Sequence, residues 1–430
     1  MFSRRNLVAL GLMTGVFVME GFDIAAMGLV VPRLEGPLGI PPENFGWVFT
    51  AILLGLGIGG ATIAPLGDRF GRRALIVAGC LATGLVTLAT ATSTTTTEFL
   101  IWRFLTGLAL GACLPNVSAL SSELAPAGMR ATIMAVVSAG IPVGLALAGF
   151  AAPAIIGLIE WQGLFYVPGI TAITLAFLLW FMLDGGVPQS SEPKVVPSTA
   201  SEDAGGDPAT ATKPAGGLVG KLPQLGLFLS PWAFPFAVFA SMLALNAMVL
   251  WKLNSWLPTI LPQAGLSLDV AAQVAGVANL AGLVIGIGAS MLMDRWKKGL
   301  TLMLLFGSMT ASFAVIALTA PDTTRWTLML MVGVGGANAG GMVLPGLAAY
   351  LFPARLLSSA VGMGVLVARL GAFAGPPLGA AMIGAGMPAQ TIIGVAAFPA
   401  VACVVVALLV SRALLVKGRE EARVAASATG

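Results

Sequence analysis

The chain has 430 residues, 57% hydrophobic and 9% charged, with 22 bases against 18 acids and a net charge of +4. Soluble domains run near about 25% charged, so this balance excludes a water-soluble globular domain. The chain contains no histidine, which excludes imidazole-based catalysis and histidine metal ligation.

Apolar runs about 20 residues long, the length that crosses a bilayer, recur from end to end. They predict twelve spans, at 7–32, 44–65, 74–92, 98–121, 131–153, 162–183, 232–259, 270–293, 300–319, 325–350, 359–384 and 389–415. The first run is too long for a cleaved leader, carries two acids and lacks a small-residue cleavage site. Cys80, Cys113 and Cys403 all fall inside apolar runs, so neither a disulfide nor a metal site is read, and no cofactor is implied.

Span 1 holds FVMEGFDIAAMGLVVP at 17–32. Glu20 and Asp23 lie three residues apart, on one helix face, with no base nearby in sequence. An acid at membrane depth costs about 2.5–3.5 kcal/mol on an insertion scale, so the pair is not expected to face lipid. Either both acids belong to a satisfied buried network, or they line a polar pathway and one of them carries a proton. The second is the working expectation, with Asp23 as carrier and Glu20 as partner, in either order.

The turn after span 2 reads LGDRFGRRA, at 66–74. Asp68 can complement a helix N-terminus, and Arg72 can meet Glu123 at the end of span 4. Asp68, Arg69, Arg72 and Glu123 are thus candidate gate residues. Span 4 carries Arg103 and, beside Pro115, Asn116. Residues 184–229 are rich in Pro, Gly, Ser, Thr and Ala and read as a flexible cytoplasmic linker. Span 7 carries Trp251, Lys252 and Asn254, the turn after span 8 reads LMDRWKKGL at 292–300, and span 11 carries Arg369. The implied division is a six-helix bundle at 1–183, the linker, a second six-helix bundle at 230–416 and a tail at 417–430.

The halves repeat. Asp68 to Asp294, Arg69 to Arg295 and Pro32 to Pro258 share one offset of 226, and LPNVSAL at 114–120 matches LPGLAAY at 344–350. Duplication of a six-span unit is the reading, and it adds Asp294 and Arg295 to the gate residues. It also sets Lys252 opposite Ala26, near the depth of the two acids. Of the 22 bases, 17 fall on the side of the termini and linker, which the positive-inside rule places in the cytoplasm. Arg103, Lys252 and Arg369 remain within apolar runs. With the two acids they must face a wet interior and compensate one another or a ligand. Three buried cations against two ionised acids leave +1, which attracts an anion, and protonating an acid strengthens that attraction. Lys252 or Arg369 is expected to hold a substrate carboxylate, and Arg103 either joins them or pairs with an acid.

DRFGRR after span 2, DRWKK after span 8, twelve spans and the long middle linker resemble the major facilitator superfamily. EGFDIAAMGLVVPRL at 20–34, RFLTGLALGACLPNVSALSSELAP at 103–126, LNSWLPTIL at 253–261 and VARLGAFAGPPLG at 367–379 resemble its aromatic acid:proton symporter family. The resemblance implies an all-α membrane protein of twelve transmembrane helices in two pseudo-symmetric halves, the major facilitator fold. It implies an importer of aromatic carboxylates such as benzoates, driven by protons, in the inner membrane and functional as a monomer. Asp23, Asp68, Arg72, Arg103, Asp294 and Arg369 match its motif positions, Glu20 stands where an aspartate is usual, and Lys252 is not a usual feature of its seventh helix. Phe22, Trp251 and Trp256 could stack on a ring, and Asn116 and Asn254 could donate to a hydroxyl or carboxylate. A ring-cleavage dicarboxylate such as muconate, a proton-driven exporter and a non-transporting receptor are the alternatives. No enzyme, nucleic-acid or ATP-driven function is read.

Overall fold

A computed structural model of the chain describes residues 4–126, 129–183 and 227–429. Its long helices are α1 (Arg4–Val30), α2 (Gly46–Thr62), α3 (Arg72–Thr90), α4 (Thr96–Leu124), α5 (Gly140–Ile159) and α6 (Gly163–Met182). The second set is α7 (Ala233–Gln263), α8 (Leu268–Arg295), α9 (Lys298–Leu318), α10 (Thr323–Leu351), α11 (Ala354–Gly384) and α12 (Ala397–Thr429). Among the described residues, twelve helical spans are long and apolar enough to cross a membrane, and they coincide with the twelve expected from sequence.

The differences are local. Span 5 is broken: a helix at Arg130–Ser138 ends at Ala139, and α5 follows. Span 12 starts as Ala389–Gly394, turns at Val395 and Ala396, and resumes as α12. Where a separate tail was expected from 417, the helix continues to Thr429, through a stretch of Ala, Arg and Glu that favours helix. α7 runs through Pro258 and Pro262 to Gln263, because packed neighbours in a membrane bundle compensate the lost backbone bond. The linker expected at 184–229 lies outside the described residues except for 227–229.

Three of the helices that start on the face opposite the termini, α4, α8 and α10, are capped there by a side chain. Thr95 accepts from the Glu98 amide at 3.3 Å, Ser267 from Val270 at 3.2 Å and Asp322 from Arg325 at 2.7 Å. Each satisfies one amide that the first turn leaves free. Backbones then pack closely where side chains are smallest. On α4, a Cβ at Gly107 would lie 2.1 Å from the Ile52 carbonyl oxygen of α2, and one at Gly55 of α2 would lie 2.2 Å from the Phe104 oxygen. Glycine is therefore required on both sides of this seam.

The halves α1–α6 and α7–α12 meet on the face away from the termini. There Arg33 pairs with Asp269 at 3.1 Å. The Phe49 ring meets Trp256 edge-on, with centroids 5.1 Å apart, and the Thr50 hydroxyl donates to the Phe373 carbonyl at 3.4 Å. On the other side of the membrane the halves part, and a cleft opens between them toward the face that carries the termini.

Candidate functional site

The five intramembrane charges fall into three environments. Asp23 and Arg103 form a sealed pair, 0% and 1% exposed. The guanidinium donates to Asp23 Oδ2 at 2.9 Å and Oδ1 at 3.2 Å, and to the Thr90 hydroxyl at 3.3 Å. Thr87 donates to Asp23 Oδ1 at 3.2 Å, and the Phe165 ring lies 5.2 Å beneath the guanidinium. Such a pair is tolerated in a low dielectric because the two charges meet in good geometry with further bonds from the threonines, although the Nε–H of Arg103 meets no acceptor among the described residues.

Glu20 and Arg369 form the second environment. Both line the cleft, whose volume is about 860 Å³, within the size range of small-molecule sites. Phe17, Ile24, Leu56, Leu145, Leu250 and Val365 make most of its wall apolar, and Trp251, Asn254, Asn338 and Ser118 complete it. Glu20 comes from α1 and Arg369 from α11, so the opposite charges are carried by opposite halves. The Glu20 side chain is buried, and its Oε2 has no hydrogen-bond partner among the described residues. Beyond Ile24, Trp251 and Asn254 lies an enclosed void of about 20 Å³ walled by Phe49, Ser255 and Arg103. Ile24, Trp251 and Asn254 line both spaces and so stand between the cleft and the Arg103 side chain.

Lys252 is the third environment. It is 3% exposed, faces away from the cleft into the second half, and donates to the Ile392 carbonyl at 2.8 Å. That carbonyl belongs to the last turn of the short helix Ala389–Gly394, where a cation complements the free end of the helix.

Several expected site residues are thereby relocated. The two acids of α1 share a face by spacing, yet only Glu20 reaches the cleft, because Arg103, Thr87 and Thr90 draw Asp23 toward α3 and α4. Arg103 is paired rather than open to the cleft. Phe22 is packed in the apolar core. Asn116 donates to the Ala64 carbonyl at 3.0 Å and to Ala112 at 2.9 Å, tying α4 to the turn after α2. Trp256, a candidate for stacking on a ring, is 0% exposed and donates to the Pro376 carbonyl at 2.8 Å. Arg369, Trp251 and Asn254 do line the cleft.

On the terminal face, Arg72 donates to Asp68 at 3.1 Å and to Glu123. Asp294 accepts from the Tyr350 hydroxyl at 2.6 Å, and Lys298, the counterpart of Arg72 by the repeat, sits 4.7 Å from the Tyr350 ring centroid. Arg69 lies over the Phe70 ring at 5.5 Å, and Arg295 borders a groove with Trp296 and Lys297. Each of these contacts stays within one half. An ion pair that does bridge the halves is Arg33–Asp269, on the closed face. Sequence reading missed it, as it missed Thr87, Thr90 and Asn338. A signal existed for the threonines: Thr83, Thr87 and Thr90 recur at helical spacing on an apolar span.

A family model described as Major Facilitator Superfamily matches residues 13–352. The chain is 30% identical over 411 residues to the 4-hydroxybenzoate transporter PcaK of Pseudomonas putida, covering 90% of this chain and 88% of that protein. It is 30% identical over 390 residues to the 3-(3-hydroxy-phenyl)propionate transporter of Escherichia coli strain K12, covering 89% of each. In three dimensions it is similar to a D-xylose-proton symporter, with a TM-score of 0.70 at 17% identity, over 94% of this chain and 96% of that one. A bacterial homolog of the human lysosomal transporter Spinster, solved inward-facing and unoccupied, gives a TM-score of 0.74 at 16% identity, over 96% and 98%. Identities this low speak to the fold alone.

Proposed function

Because the chain belongs to the Major Facilitator Superfamily, we propose that it is a secondary transporter that imports a small aromatic carboxylate with protons by alternating access. The observation that carries the reading is the pairing of one acid and one cation, Glu20 and Arg369, on opposite walls of a single apolar cleft. The names of the relatives, which transport hydroxybenzoate and hydroxyphenylpropionate, support the substrate class.

The Arg369 guanidinium holds the substrate carboxylate, and Trp251 with the aliphatic wall takes the ring. Ionised Glu20 opposes the incoming anion, and a proton on Glu20 removes that opposition. Proton and substrate therefore favour each other's binding, by the 1–3 kcal/mol typical of roughly 5- to 150-fold coupling. Glu20 is the acid that exchanges its proton with the cleft, and Asp23, held by Arg103, is the fixed charge beside it. The bases gathered on the open side support a cytoplasmic orientation for it by the positive-inside rule, and the cleft then reads as that of an inward-open state in an inner membrane. Lys252 lies outside the cleft, leaving Arg369 as its base among the described residues, which favours a monocarboxylate over muconate.

The test is uptake of labelled benzoate, hydroxybenzoates, phenylpropanoates and muconate into proteoliposomes, with and without an inward proton gradient. Accumulation of an aromatic monocarboxylate that requires the gradient, and is lost in Glu20→Gln, is the expected result. Muconate alone accumulating would move the substrate class, and binding without flux by folded, oriented protein would replace transport with a receptor role.

A further inference from the structure

We propose that the groove beside the turn between α8 and α9 holds one anionic phospholipid, with its phosphodiester on Arg295, Lys297 and Lys298 and an acyl chain along Leu300, Leu304 and Leu408. The proposal needs only that the chain spans a membrane and is independent of what the cleft carries.

The groove, about 740 Å³, is walled by that turn and by Ser411 and Leu414 of α12. It lies where α8 ends at Arg295 and α9 starts at Lys298, the ends of two membrane spans and therefore the depth of lipid headgroups. Arg295, Lys297 and Lys298 all border it, and among the described residues none of the three forms an ion pair with an acid. The first half answers the same charges internally. Arg72 bonds to Asp68 and to Glu123 at the end of α4, while Arg73 donates to the Trp180 carbonyl and lies 4.6 Å from the centroid of that ring. The repeat carries the bases into the second half without this partner. Lys298 stands opposite Arg72 at the offset of 226, and the match of 114–120 with 344–350 sets Pro353 opposite Glu123. A phosphodiester in the groove supplies in the second half the negative charge that Glu123 supplies in the first.

The rest of the groove is apolar, which selects a lipid over a soluble anion. Trp296 and Leu300, both exposed, line it beside the bases. One turn deeper into the membrane stand Leu304, four residues along α9 from Leu300, and Leu408, three residues along α12 from Ser411, and both are exposed. An exposed apolar track thus leads from the basic groove into the hydrocarbon, and an indole stands at the boundary, where Trp suits the membrane interface. A soluble phosphate would use the bases and leave the track uncovered; a phospholipid uses both.

The experiment is native mass spectrometry of purified, delipidated full-length protein in detergent, titrated with dioleoyl phosphatidylglycerol or with dioleoyl phosphatidylcholine, which has the same chains. One phosphatidylglycerol is expected to bind about tenfold or more tightly than phosphatidylcholine, and to weaken about fivefold in Arg295→Gln or in Lys297→Gln, the worth of one base beside an anionic headgroup. The triple variant Arg295→Gln/Lys297→Gln/Lys298→Gln is expected to lose the preference altogether. Arg69→Gln, at the counterpart of Arg295 in the first half, is expected to leave it within about twofold. Equal retention of the two lipids, or a preference that survives the triple variant, overturns the proposal. So does the same loss in Arg69→Gln, which would assign the effect to the basic face as a whole. Displacement of phosphatidylglycerol by equimolar glycerophosphoglycerol, the same headgroup without chains, would make the groove a site for soluble anions instead. None of these outcomes bears on transport through the cleft.

Discussion

Replacing Asp23 with asparagine is expected to cost about 3–5 kcal/mol of stability, the penalty for leaving a buried cation without its counter-charge. The magnitude follows from the geometry around Arg103. Its guanidinium is 1% exposed and forms two hydrogen bonds to the carboxylate, at 2.9 and 3.2 Å. An asparagine amide can accept one of them but turns its NH2 group against the other donor. Thr90 alone cannot compensate, and at 1% exposure the guanidinium is cut off from bulk solvent. Arg103→Leu strands the carboxylate in the same way. The double variant Asp23→Leu/Arg103→Leu removes both charges and is expected to fall within about 1–2 kcal/mol of the original, because the pair's attraction barely exceeds its desolvation cost. Equilibrium unfolding in mixed micelles, arranged as a double-mutant cycle, reads the coupling directly. Single variants each within about 1 kcal/mol of the parent, or a double variant as unstable as the sum of the singles, would refute the idea that the two form one closed electrostatic unit.

Three further outcomes follow from other parts of the structure. Asp269→Asn removes the ion pair that joins the halves on the closed face; since Asp269 is 62% exposed, the pair is worth about 0.2–1 kcal/mol. Labelling of a Ser255→Cys reporter by a membrane-impermeant maleimide should accordingly rise by up to about fivefold. Gly107→Ala drives a methyl group to 2.1 Å from the Ile52 oxygen and should cost about 1–3 kcal/mol or more, seen as a lowered melting temperature. Gly288→Ala, which meets nothing within 4 Å, should be neutral or slightly stabilising in the same assay. Lys252→Met should shift stability by about 1–2 kcal/mol through the lost bond to Ile392. It should leave the KM for substrate within about threefold, and a larger KM change would return Lys252 to the substrate site.

The fold was legible because hydropathy and length alone determine where a chain can cross a bilayer, and the twelve spans stand where they were read. The breaks in spans 5 and 12 were not, since a one- or two-residue turn at Ala139 or at Val395–Ala396 leaves the hydropathy unchanged. The site was legible as a set of charges but not as a geometry. Spacing puts Glu20 and Asp23 on one face; which neighbour claims Asp23 is decided by Thr87, 64 residues downstream, and by Arg103, 80 residues downstream and itself bonded to Thr90. Likewise the repeat set the depth of Lys252 but not its direction. In a helix apolar all round, no amphipathic stripe tells the cleft side from the core side. Asn338 went unnoticed for the same reason, and its bonds to Val334 and Asn279 are not displayed by sequence.

The central claim is that Glu20 couples a proton to an aromatic anion in the cleft. It is tested most directly by following interior pH with a trapped dye in proteoliposomes at equal internal and external pH, on addition of an external hydroxybenzoate. The account predicts interior acidification beyond that of protein-free vesicles, matched in time by uptake of labelled substrate, with the protein-dependent acidification absent in Glu20→Gln while that variant still exchanges internal for external substrate. Substrate uptake without a proton signal, or the same signal in Glu20→Gln, would contradict it.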